Sequence, residues 1–189
     1  MKIRPYRESD RENVRFVCLN SDGPCRAGKR RQNFLLTTYC DYFIEKEGRN
    51  VFVATDENDK AIGYILCAEN YDNFKEIFYN EYIERLGKWE FKFRKSAMRS
   101  TLIQEEYKKE YPAHLHIDIL PDFQRMGLGH KLMDALCENL KSKNIKGVCL
   151  TVWAGNKKGR RFYEKYGFTL LETRKTTAVY GLKLSEKEM

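Results

Sequence analysis

Apolar positions along the chain recur at two spacings, and the changes between them mark out the elements. "IRPYR" reads as a first strand. Behind it Ser9-Asp10-Arg11-Glu12 has the S-x-x-E spelling of a capping box, ahead of a helix carrying Val14, Val17 and Cys18. "NSDGPCRAGKRR" is a polar loop punctuated by Gly and Pro, after which Leu35, Leu36, Tyr39, Cys40 and Phe43 return to helical spacing. "NVFVAT" and "AIGYILCAE" are β-rich runs separated by the turn-forming "DENDK", which predicts an antiparallel hairpin. Residues 70–112 then carry helical patterns (Phe74, Ile77, Phe78; Met98, Leu102, Ile103) where a shorter connection would suffice, so a helical insertion, read as a lid, is expected between the third and fourth strands. "HLHIDILP" is a strand, "RMGLGHKLMDALCENLKSKN" a turn and helix, and "VCLTVW" another strand. A short helix from about Asn156 to Tyr166 precedes the strands "FTLLETR" and "AVYGLKL". The predicted class is α/β with a mixed sheet, folded as one domain over residues 1–189. There are no internal repeats and no low-complexity tracts.

Composition narrows this picture. With 42% hydrophobic residues in 189, the chain can bury one substantial core. No run approaches 18 consecutive apolar residues, and "MKIRPYRESDRENV" has no apolar stretch before its acids, so a soluble cytoplasmic protein is expected. Six scattered cysteines form no C-x-x-C pair, which argues against a metal or disulfide framework. Several lie in apolar-periodic segments, where a thiol behaves as a small hydrophobe. The net charge of +8 is concentrated: residues 141–183 hold eleven Lys or Arg against the acids Glu164 and Glu172. That clustering suits an anionic partner, whether nucleic acid, a membrane surface or a phosphorylated small molecule, or else a solvated face.

The candidate chemistry begins at "DFQRMGLGHKLM", residues 122–133. Pro121 ends a strand, and Leu132, Met133, Leu136, Cys137 and Leu140 form one helical stripe just beyond Gly127 and Gly129. At such a junction the first helix N–H groups lack partners and the helix dipole is positive, while positions without Cβ let an anion approach the main chain. Phosphate is the expected guest. A dinucleotide fingerprint would need glycine where Leu132 stands, and the G-K-[ST] of a Walker A loop is absent here and in "GNKKGR". What remains, Q-x-x-G-x-G behind Ile-Leu-Pro, resembles the pyrophosphate loop of the Gcn5-related N-acetyltransferase (GNAT) family. "NKKGRRFYEKYGF", residues 156–168, is similar to that family's following helix through Asn156, Gly159, Phe162, Tyr163, Gly167 and Phe168. "YPAHLHIDILP" after a long helical insertion also resembles the acetyltransferase-like domain attached to O-GlcNAcase and its free-standing bacterial relatives.

This resemblance implies a mostly antiparallel central sheet flanked by helices, and acetyl-CoA as acyl donor with no metal. It implies that Gln124, Arg125, Met126, Gly127, Leu128, Gly129 and His130 form the pyrophosphate loop. Ile119 and Leu120 would pair their backbone with the pantetheine arm, with Ile119 N–H set against the thioester oxygen. Lys157, Lys158, Arg160 and Arg161 are near enough in sequence to meet the remaining phosphate. Asn156 either joins the cofactor site or caps its helix. Tyr163 occupies the position of the usual proton donor to the departing thiolate. A phenol near 10 facing a thiol near 8.5 makes that transfer uphill by about 2 kcal/mol, so it would act by hydrogen bonding or concerted transfer.

The acceptor implied is a primary amine. A lysine-like amine is unprotonated in only about one molecule in 2,500 at pH 7, so a base or desolvation is required. Strand alternation puts His114, His116 and Asp118 on one face and Leu115, Ile117 and Ile119 on the other. His116 and Asp118 are therefore candidates for base or relay, or they satisfy each other structurally; Glu69 is a further candidate. A catalyst is the leading reading, with an inactive acetyl-CoA-binding sensor or scaffold as its alternative. No RNA- or DNA-reading motif accompanies the basic segment. The insertion's charges nearly balance, and its aromatics (Phe74, Phe78, Tyr79, Tyr82, Trp89, Phe91, Phe93) are expected to fill a small core of their own rather than a substrate wall. Monomer and homodimer both stay open.

Overall fold

Strand alternation gives the central sheet two apolar faces, and each is covered by a different set of helices. The computed structural model describes residues 1–184. Its seven strands are β1 (Lys2–Pro5), β2 (Val51–Thr55), β3 (Ala61–Ala68), β4 (Ala113–Ile119), β5 (Gly147–Trp153), β6 (Thr169–Thr173) and β7 (Thr177–Lys183), in the spatial order β1-β2-β3-β4-β5-β7-β6. Every neighbouring pair is antiparallel except β4 and β5. The expected mixed, mostly antiparallel sheet is what forms, with the predicted hairpin as β2 and β3.

Helices α1 (Arg11–Asn20), α2 (Lys29–Leu36), α3 (Tyr42–Lys46), α4 (Tyr71–Ile77) and α5 (Phe91–Tyr107) precede α6 (Leu128–Ser142) and α7 (Lys157–Tyr166). One core joins Val14, Phe43, Tyr64, Leu66 and the α4 aromatics; the other joins Leu115, Val148, Leu150 and Tyr180 to α6. The stripe read on α6 is buried along its length, from Leu132 to Leu140. Each such side chain contributes roughly 1.5–3 kcal/mol relative to exposure, so α6 anchors the turn in front of it.

Three local expectations change. Ser9 and Glu12 do not form the capping box. A 3₁₀ turn (Glu8–Asp10) precedes α1, and Asp10 folds back to accept from Arg7 N–H at 2.9 Å and from both Arg4 nitrogens at 2.7 and 2.8 Å. The pattern from Leu35 to Phe43 is broken by a π-turn (Thr37–Asp41) between α2 and α3. The insertion's aromatics do not form a separate core: Phe74 packs against Tyr42, Phe43 and His114 at ring distances of 4.7, 5.8 and 4.4 Å, while Trp89 and Phe91 are exposed. The first half of the insertion is thus built into the body. Its second half is tied to the β6–β7 end by Tyr107 donating to Glu172 at 2.9 Å and by Arg174 pairing with Glu106 at 2.7 Å.

Candidate active site

The one parallel junction is also where the sheet comes apart. β4 and β5 are paired only at Ala113–Val148 and His114–Cys149, although the strands run on to Ile119 and Trp153. Beyond that point β4 keeps β3 on one side and, among the described residues, has no strand on the other. Backbone parity decides which groups face the gap. Leu120 N–H donates to Ile62 carbonyl at 3.0 Å, towards β3, so in an antiparallel ladder Ile119 and Ile117 point their N–H and C=O the other way. Leu120 therefore does not offer the second backbone contact expected of it: its N–H is spent on β3 and its carbonyl accepts from Phe123 at 2.9 Å.

At the end of this free edge the chain turns into α6. Gln124 does not present its side chain to the turn's mouth; its amide donates inward to Ile119 carbonyl at 2.9 Å and to Ser21 carbonyl at 3.2 Å, bracing the turn. Arg125 and Gly127 adopt left-handed backbone, at φ 64° and 78°. The first helical bond runs from Lys131 to Gly127, and no side chain among the described residues caps the helix. Consequently the six successive amides of Arg125, Met126, Gly127, Leu128, Gly129 and His130 have no acceptor among the described residues. They sit at the positive end of a 15-residue helix whose first turn holds no acid.

The two glycines serve different purposes. A Cβ at Gly127 would meet nothing within 4 Å, so its left-handed backbone is what requires glycine. A Cβ at Gly129 would lie 3.0 Å from the Phe162 ring, so this glycine lets α6 and α7 close on each other.

Across the gap, the face shared by His114, His116 and Asp118 differs sharply from residue to residue. His114 is 2% exposed, boxed by Phe43, Tyr71 and Phe74, and its Nδ1 has no partner among the described residues; burial lowers its pKa to about 3. His116 meets Tyr39 and Phe43 edge-on at 5.4 and 5.1 Å, and burial lowers its pKa to about 4, which makes it a weak proton acceptor. Asp118 is the contrasting case. Burial pushes its carboxyl up to about 6 while hydroxyls of Tyr64 and Ser21 pull it back and Asp22 adds to the rise. A carboxylate tuned to that range is mostly ionised at neutral pH yet holds a proton when one is delivered.

Glu69 does not belong to this group. It pairs with Lys143 at 2.6 Å and accepts from Asn50 at 2.9 Å, at the end where β4 and β5 are still joined, and Lys143 lowers its pKa. Tyr163, on α7, packs against Phe162, Phe168 and Tyr180, and its hydroxyl makes no hydrogen bond among the described residues. Burial and then the charge of Asp118 raise its pKa, so it can donate a hydrogen bond but resists full ionisation.

Asn156 takes the capping role: its Oδ1 accepts from Gly159 N–H at 2.9 Å, and a Cβ at Gly159 would crowd the Asn156 amide at 2.8 Å. Of the four basic residues behind it, Arg160 is committed to Tyr180 hydroxyl at 3.1 Å and Ala154 carbonyl at 3.3 Å. Lys157, Lys158 and Arg161 remain exposed. A cavity of about 380 Å³ opens beside His130 and runs along α6 past Asp134 and Lys141 to Lys165; Asp118 is not among its lining residues.

Sequence reasoning missed Tyr64, Ser21 and Tyr39. Tyr64 was the one polar group in the apolar run "AIGYILCA", and pairing that strand with "HLHID" would have set it opposite Asp118. Ser21 and Tyr39 gave no comparable signal, since the first closes a helix and the second owes its place to the π-turn.

A model of the acetyltransferase (GNAT) family matches residues 18–168. Among solved structures, the fold is similar to the crystal structure of SsHAT with a TM-score of 0.84 at 24% identity, covering 98% of each chain. It is similar to a mutant of agmatine N-acetyltransferase in its apo form, with a TM-score of 0.66 at 14% identity over 97% of this chain and 99% of that one. The PaiA N-acetyltransferase from Thermoplasma acidophilum, in complex with coenzyme A, gives 0.60 at 17% identity over 96% and 98%. At these identities the likeness is one of fold. Among the described residues no helix is long and apolar enough to cross a membrane, and no cluster of His, Cys, Asp or Glu is arranged to hold a metal ion.

Proposed function

The chain belongs to the acetyltransferase (GNAT) family, and from that premise we propose that it transfers an acetyl group from acetyl-CoA to a primary amine by direct attack, with donor and acceptor bound together. The observation that carries this reading is the free edge of β4 ending at six unpartnered amides. An unpaired strand edge suits an extended arm bearing amide groups, and a run of free N–H groups at a helix start suits a diphosphate. Acetyl-CoA has both parts in that order, and it supplies the acetyl group as a thioester.

The protein's own residues divide the remaining work. Ile117 offers N–H and C=O to the arm and Ile119 its N–H, the Ile119 carbonyl being held by Gln124, and the amides from Arg125 to His130 hold the diphosphate. Ile119 N–H faces the place where negative charge gathers on the thioester oxygen during attack. Asp118 takes the acceptor's proton. An ammonium near 10.4 facing a carboxyl near 6 leaves that transfer uphill by roughly 6 kcal/mol, so the proton moves as the amine is desolvated and attacks, not beforehand. Tyr163 steadies the departing sulfur through a hydrogen bond. His116 stays neutral and lines the acceptor side with Tyr39. The proposal includes a narrower kinship with the acetyltransferase-like domain attached to O-GlcNAcase, which rests on "YPAHLHIDILP" behind the helical insertion.

Thiol release from acetyl-CoA in the presence of a panel of primary amines tests the proposal. Release should require the amine. It should fall about 10²–10⁴-fold in Asp118→Asn, and Tyr163→Phe should lower kcat while leaving the KM for acetyl-CoA nearly unchanged. Tight binding of acetyl-CoA without release for any amine would instead make the protein a sensor or scaffold.

A further inference from the structure

Tyr64 lies in β3 directly opposite Asp118 in the β3–β4 register, and it is completely buried. Its hydroxyl donates to Asp118 Oδ2. A phenylalanine would fill the same volume in this apolar strand, so the hydroxyl's use is the carboxylate it meets. Building on the transfer reading above, we infer that Tyr64 is the positioning residue of the site, holding the ionised Asp118 carboxylate in place for the acceptor's proton.

The surroundings of Asp118 leave this task to hydroxyl groups. Tyr64 faces it from β3, Ser21 and Asp22 from the connection after α1, His116 from its own strand and Tyr163 from α7. Cys18 of α1 and Cys40 of the π-turn lie close to Tyr64 itself. No lysine or arginine pairs with Asp118 among the described residues. The negative charge is therefore kept chiefly by the hydrogen bond from Tyr64, with the nearby Ser21 hydroxyl favouring it less. Burial of the Tyr64 ring, together with the charge of Asp118, holds its phenol firmly protonated, which fixes it as the donor. Ser21 is itself pinned through its carbonyl to Gln124 in the α6 turn, so the carboxylate is set between a rigid central strand and a loop braced to the cofactor side.

The test is a titration that needs no acceptor. Carbon-13 NMR of aspartate carboxyl groups, with the Asp118 signal assigned by its loss in Asp118→Asn, reads the midpoint directly in the whole protein. The wild-type midpoint should lie near 6, and Tyr64→Phe should raise it by about one pH unit, a tenfold gain in proton affinity. In the wild type, the Cζ signal of Tyr64 should move with the same midpoint and stop moving in Asp118→Asn; this second readout stands even if Tyr64→Phe does not fold. Calorimetry with acetyl-CoA accompanies the titration, and Tyr64→Phe should bind within about twofold of wild type. An unmoved midpoint in a variant that binds acetyl-CoA normally, or a Tyr64 signal indifferent to Asp118, would overturn the assignment of Tyr64 alone. Absence of acetyl-CoA binding in the wild type would instead overturn the transfer reading and this role with it.

Discussion

Asp118→Asn should make the protein more stable at pH 8 while disabling it. Burial raises the Asp118 carboxyl from 3.8 to about 6 in the folded chain. Between those values the native state binds a proton that the unfolded state has already released, so stability falls as pH rises through this window and stays reduced above it. The full displacement corresponds to about 3 kcal/mol, and because the side chain is only partly shielded from solvent a gain of about 1–2 kcal/mol on replacement is the reasonable expectation. Asparagine keeps the shape and still accepts from Tyr64, so little else changes. Urea unfolding of both proteins at pH 4 and pH 8 isolates the effect, because every other titrating group is common to the pair and cancels. The variant should match wild type at pH 4 and exceed it at pH 8, where thermal unfolding should give a Tm about 2–8 °C higher. A difference equal at both pH values, or a variant less stable at pH 8, would refute the claim that Asp118 is held ionised against the cost of burial.

Other outcomes follow from the same geometry. Gly127→Ala should cost about 1–2 kcal/mol through its left-handed backbone and weaken acetyl-CoA binding in calorimetry, whereas Gly129→Ala should act by displacing Phe162 and loosening α7 against α6. His114 is kept neutral with its pKa lowered to about 3, so stability is lost as pH falls below 6.5 and unfolded chains take up a proton the native state refuses. His114→Phe should remove that loss, gaining about 2–3 kcal/mol over wild type at pH 4 but much less at pH 7.5, as urea unfolding at the two values will report.

What the sequence made legible was whatever depends on local periodicity. Period-two alternation correctly separated His114, His116 and Asp118 from Leu115, Ile117 and Ile119, and the 3.6-residue stripe found α6 and its start at the glycine turn. Contacts decided the rest. The free edge of β4 exists because pairing with β5 ends after two residues, and no residue type announces that. Leu120 was misplaced because only its register against Ile62, 58 positions earlier, fixes which way its N–H points. Gln124 looked like a ligand group but braces its own turn, and Glu69 looked available until Lys143 came to it from just beyond α6. Asn156 sat between two readings that spelling could not separate, and Gly159 settled one of them by leaving room for the cap. Tyr64 and Asp118 meet at a sequence separation of 54, a stretch that includes the whole insertion.

Backbone amide NMR during titration with acetyl-CoA is the most direct test of the claim on which everything else stands. The amides of Arg125 to His130 should shift together and saturate with those of Ile117 and Ile119, while Leu120, already bonded to β3, should gain no new protection from exchange. Saturating acetyl-CoA that leaves those amides where they were, or that shifts only side chains elsewhere on the basic surface, would contradict the account.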